Sequence, residues 1–130
     1  MKEYAVASAS CYERHISLSG YPAERIEIPY EGSFLPGYFY RSPHADEKAP
    51  LLIVTPGRDT WAEDTRWVCE GALQRGIHCL TYDGPGQGFA LRLNNLTFRP
   101  DWEKVVSPLI DFALEKFTEI DASNICLLYT

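Results

Sequence analysis

An excess of positive charge is missing from this sequence: 12 Lys and Arg stand against 18 Asp and Glu, a formal net charge of −6. The attraction that draws basic chains to nucleic acid or anionic bilayers has no source here, so neither partner is expected. Long apolar runs are missing too. Nothing approaches the ~20 residues that span a bilayer, and the opening Met1-Lys2-Glu3-Tyr4 begins no signal-like stretch. A soluble, cytoplasmic chain is the expectation. The four cysteines, Cys11, Cys69, Cys79 and Cys126, lack the short paired spacings of a zinc site and the framework of a small disulfide-rich domain. They are expected as reduced, buried thiols, with no metal.

What is present is globular. Hydrophobic residues make up 45% and charged residues 23% of 130 positions, a balance that supports a packed core in one domain or a piece of one. Lys2 to about His15 predicts a short helix, ended before Gly20-Tyr21-Pro22. Ile26, Ile28 and Tyr30 then alternate with polar neighbours as in a half-buried strand, Glu31-Gly32 turns the chain, and Leu35 to Arg41 returns as a second strand. After a polar loop, the apolar run Leu51 to Val54 suits a strand buried on both faces.

Thr60 and Glu63 have the spacing of a capping box that would open a helix to about Arg75, stopped at Gly76. Ile77 to Tyr82 predicts the next strand. A second long helix from Arg99 or Asp101 places Trp102, Val105, Val106, Leu109, Ile110, Ala113 and Phe117 on one face, with Pro108 expected to kink it or mark a late first turn. Ile125 to Tyr129 closes the series as a strand. A hairpin followed by strand, helix, strand, helix, strand is the opening of an α/β architecture with a mostly parallel, helix-covered sheet.

In such sheets ligands sit at the carboxyl ends of the strands. Thr55-Pro56-Gly57-Arg58-Asp59 follows a buried strand and precedes a helix, where backbone N–H groups can receive developing negative charge, or where the chain simply connects strand to helix. Pro56 has no N–H, which leaves Gly57, Arg58 and Asp59 as donors. Asp83-Gly84-Pro85-Gly86-Gln87-Gly88 is a strand-end turn that shapes the site. It does not fit a dinucleotide fingerprint, because no helix is expected before about residue 100, nor a P-loop, because no Gly-Lys-Ser or Gly-Lys-Thr occurs. No cofactor is expected. His15, His44 and His78 have no acidic partner at a telling spacing and are read as structural, Trp61, Trp67 and Trp102 as core anchors, and Arg92 and Arg99 as charges flanking a loop that could meet an anionic group, solvated surface charge being the commoner fate.

Four stretches together resemble a known group. They are Ile28 to Gly32 with Leu35 to Phe39, Asp59 with Glu63, Asp83 to Gly88, and Phe98 to Glu103 with Val105-Val106 and Pro108. The chain is similar over these positions to the α/β-hydrolases of the type of 2,6-dihydroxypseudooxynicotine hydrolase, FrsA-type esterases and the fungal polyketide-shortening hydrolases. The resemblance runs from about Ala23 to Thr130 and implies, over 23–130, the N-terminal part of an α/β-hydrolase domain truncated before its nucleophile elbow, preceded by the helical segment expected over 1–22.

It also implies that Ile125 to Leu128 is the strand before the nucleophile elbow, a sharp turn that lifts a serine hydroxyl clear of the backbone. The serine is then expected immediately after Thr130, and the triad acid and histidine later still. Tyr129 stands where the family has the first elbow glycine, and Pro56 replaces a small residue. A slip of one register would make Thr130 the nucleophile, against its β-branch and the missing elbow. Gly57-Arg58-Asp59 becomes half of an oxyanion hole. On this reading the parent activity is a serine hydrolase acting on a carbon–carbon or ester bond of an aromatic or polyketide-like small molecule, and the chain alone is inactive. The alternative is a non-enzymatic gene-fragment product or interaction module, and an open sheet edge invites self-association.

Overall fold

The computed structural model describes residues 2–129. Helix α1 (Lys2–Ser19) leads into strands β1 (Ala23–Tyr30) and β2 (Ser33–Tyr40), then β3 (Ala49–Thr55). A single 3-10 turn (Ala62–Thr65) runs into α2 (Arg66–Leu73), followed by β4 (His78–Tyr82), α3 (Gly88–Arg92), α4 (Glu103–Lys116) and β5 (Ile120–Tyr129). The five strands form one sheet in the order β1-β2-β4-β3-β5. β1/β2 and β2/β4 are antiparallel, whereas β4/β3 and β3/β5 are parallel. The architecture is therefore α/β with a hairpin at one side and parallel strands at the other.

Alternation along the strands divides the core between two faces. Ile26, Ile28, Leu35, Phe39, Ile53 and Leu80 point to the face covered by α4, whose Val105, Leu109, Ala113 and Phe117 recur every four residues. Tyr38, Tyr40, Val54 and Cys79 point to the other face, against Cys69, Ala72 and Leu73 of α2 and Tyr12 and Ile16 of α1. The Tyr12 and Tyr40 hydroxyls share a 2.9 Å hydrogen bond that fixes α1 on this side. Phe39 stacks on Phe117 with centroids 3.7 Å apart.

Several expectations need correction. The Thr60–Glu63 capping box does not form: the Thr60 hydroxyl donates to the Gly57 carbonyl, and the backbone N–H of Trp61 is capped by the Asp64 carboxylate at 3.0 Å. Glu63 is recruited instead by the Tyr38 hydroxyl, 3.0 Å away from a distant strand. A short helix, α3, begins at Gly88, well before residue 100. Pro108 lies inside α4, on its exposed side, and the helix continues beyond it to Lys116. Trp67 is 74% exposed and anchors no core. Of the cysteines, Cys69 and Cys79 are buried, but Cys11 and Cys126 are exposed, and all four are free. Among the described residues, no helix is long and apolar enough to cross a membrane.

Candidate active site

β3, β4 and β5 are parallel, and β1 runs the same way, so their carboxyl ends share one edge of the sheet. Four segments meet there: residues 56–61 after β3, residues 83–88 after β4, the hairpin turn at Glu31-Gly32 and the loop 94–101. Asp83 joins the first two. It is 1% exposed, and its Oδ1 accepts the Ala62 N–H at 2.8 Å while Oδ2 accepts the Phe89 N–H at 2.7 Å. Burial pushes its pKa from 3.8 up to about 7, against the pull of those two N–H groups. Its carboxylate thus caps α3 from within the protein. The start of α3 overturns the spacing argument against an anion-binding loop, but a side chain of the chain itself fills that position.

Gln87 makes a second staple. Its side-chain oxygen accepts the Gly84 N–H at 2.9 Å, and its amide nitrogen donates to the Pro56 carbonyl. The glycines answer to close packing. Gly88 touches the Asp83 carboxylate so closely that any Cβ would fall inside 3.0 Å of it, and Gly86, at φ +86, lies equally close beneath the Phe98 ring.

Arg99 ties separated stretches of the sequence to one another. Its guanidinium donates to the Tyr30 hydroxyl, to Glu31 at 2.6 Å and to Asp101 at 2.7 and 2.9 Å, clamping the loop before α4 onto the hairpin turn. Those contacts raise the Arg99 pKa and hold Asp101 well below the ordinary carboxylate range. Arg92 donates to the Gly88 carbonyl and lies over the Trp61 ring at 4.8 Å. Neither arginine is the solvated charge that the sequence suggested.

The loop 57–59 is placed by register. Thr55, the last residue of β3, pairs with Tyr129, the last residue of β5, and its hydroxyl is 3.0 Å from that of Tyr82 at the end of β4. Gly57 is half-buried, and Arg58 and Asp59 are exposed. Among the described residues, the N–H groups of these three find no acceptor. The structure thus brings the two stretches singled out in the sequence to one edge, with Glu63 beside them. The histidines lie elsewhere: His78 opens β4 at the opposite edge and accepts the Ser42 N–H at 3.1 Å, and His15 bonds Arg66 on the α1 side. No group of three metal-ligating side chains gathers among the described residues. Thr130 lies outside the described residues.

No family model matches the chain. Individual proteins do. A hydrolase of a Fusarium species, LUC6, is 38% identical over 121 residues, covering 89% of this chain and 29% of the relative. The α/β hydrolase psoB of Aspergillus fumigatus is 38% identical over 113 residues, and 20-hydroxy-prefusarin hydrolase FUS2 of Gibberella moniliformis 37% over 114. The crystal structure of the 2,6-dihydroxy-pseudo-oxynicotine hydrolase superposes with a TM-score of 0.84 at 28% identity, over 96% of this chain and 34% of that one. The chain spans less than a third of the length of these curated relatives. Sequence and fold together show the chain to be homologous to part of the α/β hydrolases, among them the fungal hydrolases and the 2,6-dihydroxy-pseudo-oxynicotine hydrolase.

Proposed function

We propose that this chain supplies the sheet and half of the oxyanion site of a serine hydrolase that cleaves a carbon–carbon or ester bond in an aromatic or polyketide-like small molecule. The observation that carries the reading is the pairing of Thr55 with Tyr129. It sets the end of β5 beside the loop whose Gly57, Arg58 and Asp59 N–H groups have no acceptor among the described residues. A serine hydroxyl delivered directly after β5 would attack a carbonyl there, and the oxyanion so formed would be met by these donors in place of water. The triad acid and histidine belong to later sequence. The 130 residues by themselves are then catalytically silent. Two relatives are hydrolases of 20-hydroxy-prefusarin and of 2,6-dihydroxy-pseudo-oxynicotine, which supports a small-molecule substrate.

The reading carries a cytoplasmic location and no nucleic-acid partner, in keeping with a net charge of −6. It also carries self-association of the isolated chain. β5 pairs only with β3 among the described residues, and Leu127, Leu128 and Tyr129 are exposed along it. From Ala122 to Tyr129 no charge, proline or glycine interrupts the edge, which favours strand-to-strand docking of copies. This edge is what favours the second reading, a non-enzymatic interaction module.

Sequencing the transcript past the Thr130 codon tests the choice. An in-frame serine followed by a glycine-rich turn, with aspartate and histidine codons downstream, is expected for the hydrolase. A different residue at that position, without the later pair, supports the interaction module.

A further inference from the structure

Beside the 57–59 loop is an open cleft lined by Arg58, Asp59, Gly86, Leu91, Arg92, Thr97 and Phe98. Two of these are large apolar side chains left in contact with solvent, Phe98 at 50% and Leu91 at 37% exposure. Their exposure is not that of a loose loop. The Phe98 ring rests on Gly86 and leans on Trp102 at 6.3 Å, and the segment carrying it is tied by Gly86 N–H to Leu96 O at 2.7 Å, Leu96 N–H to Ala90 O at 3.0 Å and the Asn94 amide to Phe34 O at 2.7 Å. Arg99 fastens its far end. A rigid, half-exposed aromatic wall keeps apolar surface in water that a flat ligand could cover.

The same cleft carries cationic side chains. Arg92 is held on the Trp61 face with part of its guanidinium unused, Arg58 makes no ion pair among the described residues, and Asp59 is the single acid present. Two guanidinium groups against one carboxylate among the lining residues favour an anionic group on the ligand.

We infer that this cleft is a substrate subsite for a flat, apolar organic acid, its ring or conjugated chain on Phe98 and Leu91 and its carboxylate toward Arg92 and Arg58. The assignment rests on the hydrolase reading for its place beside the reacting bond, and it names which part of the molecule is held, and by what.

Titration of the ¹⁵N-labelled 130-residue chain, kept monomeric by Leu127→Lys and Leu128→Lys on the β5 edge, with 2-naphthoate, and separately with methyl 2-naphthoate, tests it. The acid is expected to shift the amides of Leu91, Arg92 and Phe98, and to bind several-fold more tightly than the ester. Phe98→Ala is expected to weaken both at least fivefold, and Arg92→Gln to erase the preference for the acid. Should Phe98→Ala fail to fold, Leu91→Gln, which removes apolar surface without adding charge, tests the same wall. Equal binding of acid and ester, shifts confined to other surfaces, or a folded chain that binds neither overturns the inference. The hydrolase reading fails separately: a transcript without the serine, alongside intact naphthoate binding, removes the reaction and leaves the cleft.

Discussion

The Asp83 carboxylate accepts the Ala62 N–H at 2.8 Å across the edge of the sheet, so the loop that leaves β4 holds the first turn after β3. The loop with the candidate oxyanion donors ends at that turn. Its position is therefore fixed by a buried acid whose own partners are backbone groups of two different elements.

That arrangement predicts a pH dependence. Burial raises the Asp83 pKa from 3.8 to about 7, so the folded chain retains a proton that the unfolded chain has lost over this interval. The stability that Asp83 contributes is fully present below pH 3.8 and is lost as pH rises toward about 7. His78 slopes the other way, because burial lowers its pKa and its contribution is lost on acidification. Urea unfolding of the chain and of Asp83→Asn across this range separates the two. The variant is expected to lose the Asp83 component of the slope and, lacking one acceptor for the Phe89 N–H, to be less stable by about 1–3 kcal/mol above neutral pH.

Gly88 and Gly32 make a paired prediction about backbone and packing. Both have positive φ, but a Cβ at Gly32 meets nothing within 4 Å, while one at Gly88 collides with the Asp83 carboxylate. Gly32→Ala is expected to cost about 1 kcal/mol, the left-handed penalty alone. Gly88→Ala is expected to cost about 3 kcal/mol, because the clash also displaces a buried acid. Thermal unfolding of the two variants compares them, and equal losses would show that the loop relaxes freely around Asp83.

The edge of β5 predicts association. Sedimentation of the purified chain at micromolar concentration is expected to show dimers and larger species. Leu127→Lys and Leu128→Lys, each placing a charge on a half-exposed position, are expected to shift the distribution toward monomer. A wild-type chain that sediments only as monomer would remove the docking edge.

The sequence made the strands legible because their signals are local. Ile26, Ile28 and Tyr30 alternate, Leu51 to Val54 is continuously apolar, and the end of β5 repeats that signature, so the hairpin and the parallel strands appear at the expected places, although β5 starts at Ile120, five residues before its apolar run. What it concealed depends on partners far along the chain. The five residues of α3 are too few to show a period and follow a stretch rich in glycine, and Asp83 supplies the cap through folding. Glu63 had the spacing of a capping residue but serves a tyrosine 25 positions earlier. Arg99 resembled surface charge because its partners Tyr30 and Glu31 lie 69 and 68 positions away. At the candidate site, the loops at 57–59 and 83–88 were legible from their places after strands. The staple between them was not, since the roles of Asp83 and Gln87 exist only once β3 and β4 are side by side.

In the proposed hydrolase, β5 leads to the reactive hydroxyl without containing it. Exposure of the purified 130-residue chain to a fluorophosphonate, followed by peptide mapping, tests this most directly. The account predicts no adduct on any serine, threonine or tyrosine of the chain. A stoichiometric adduct, on Thr130 or on any other of these side chains, would contradict it.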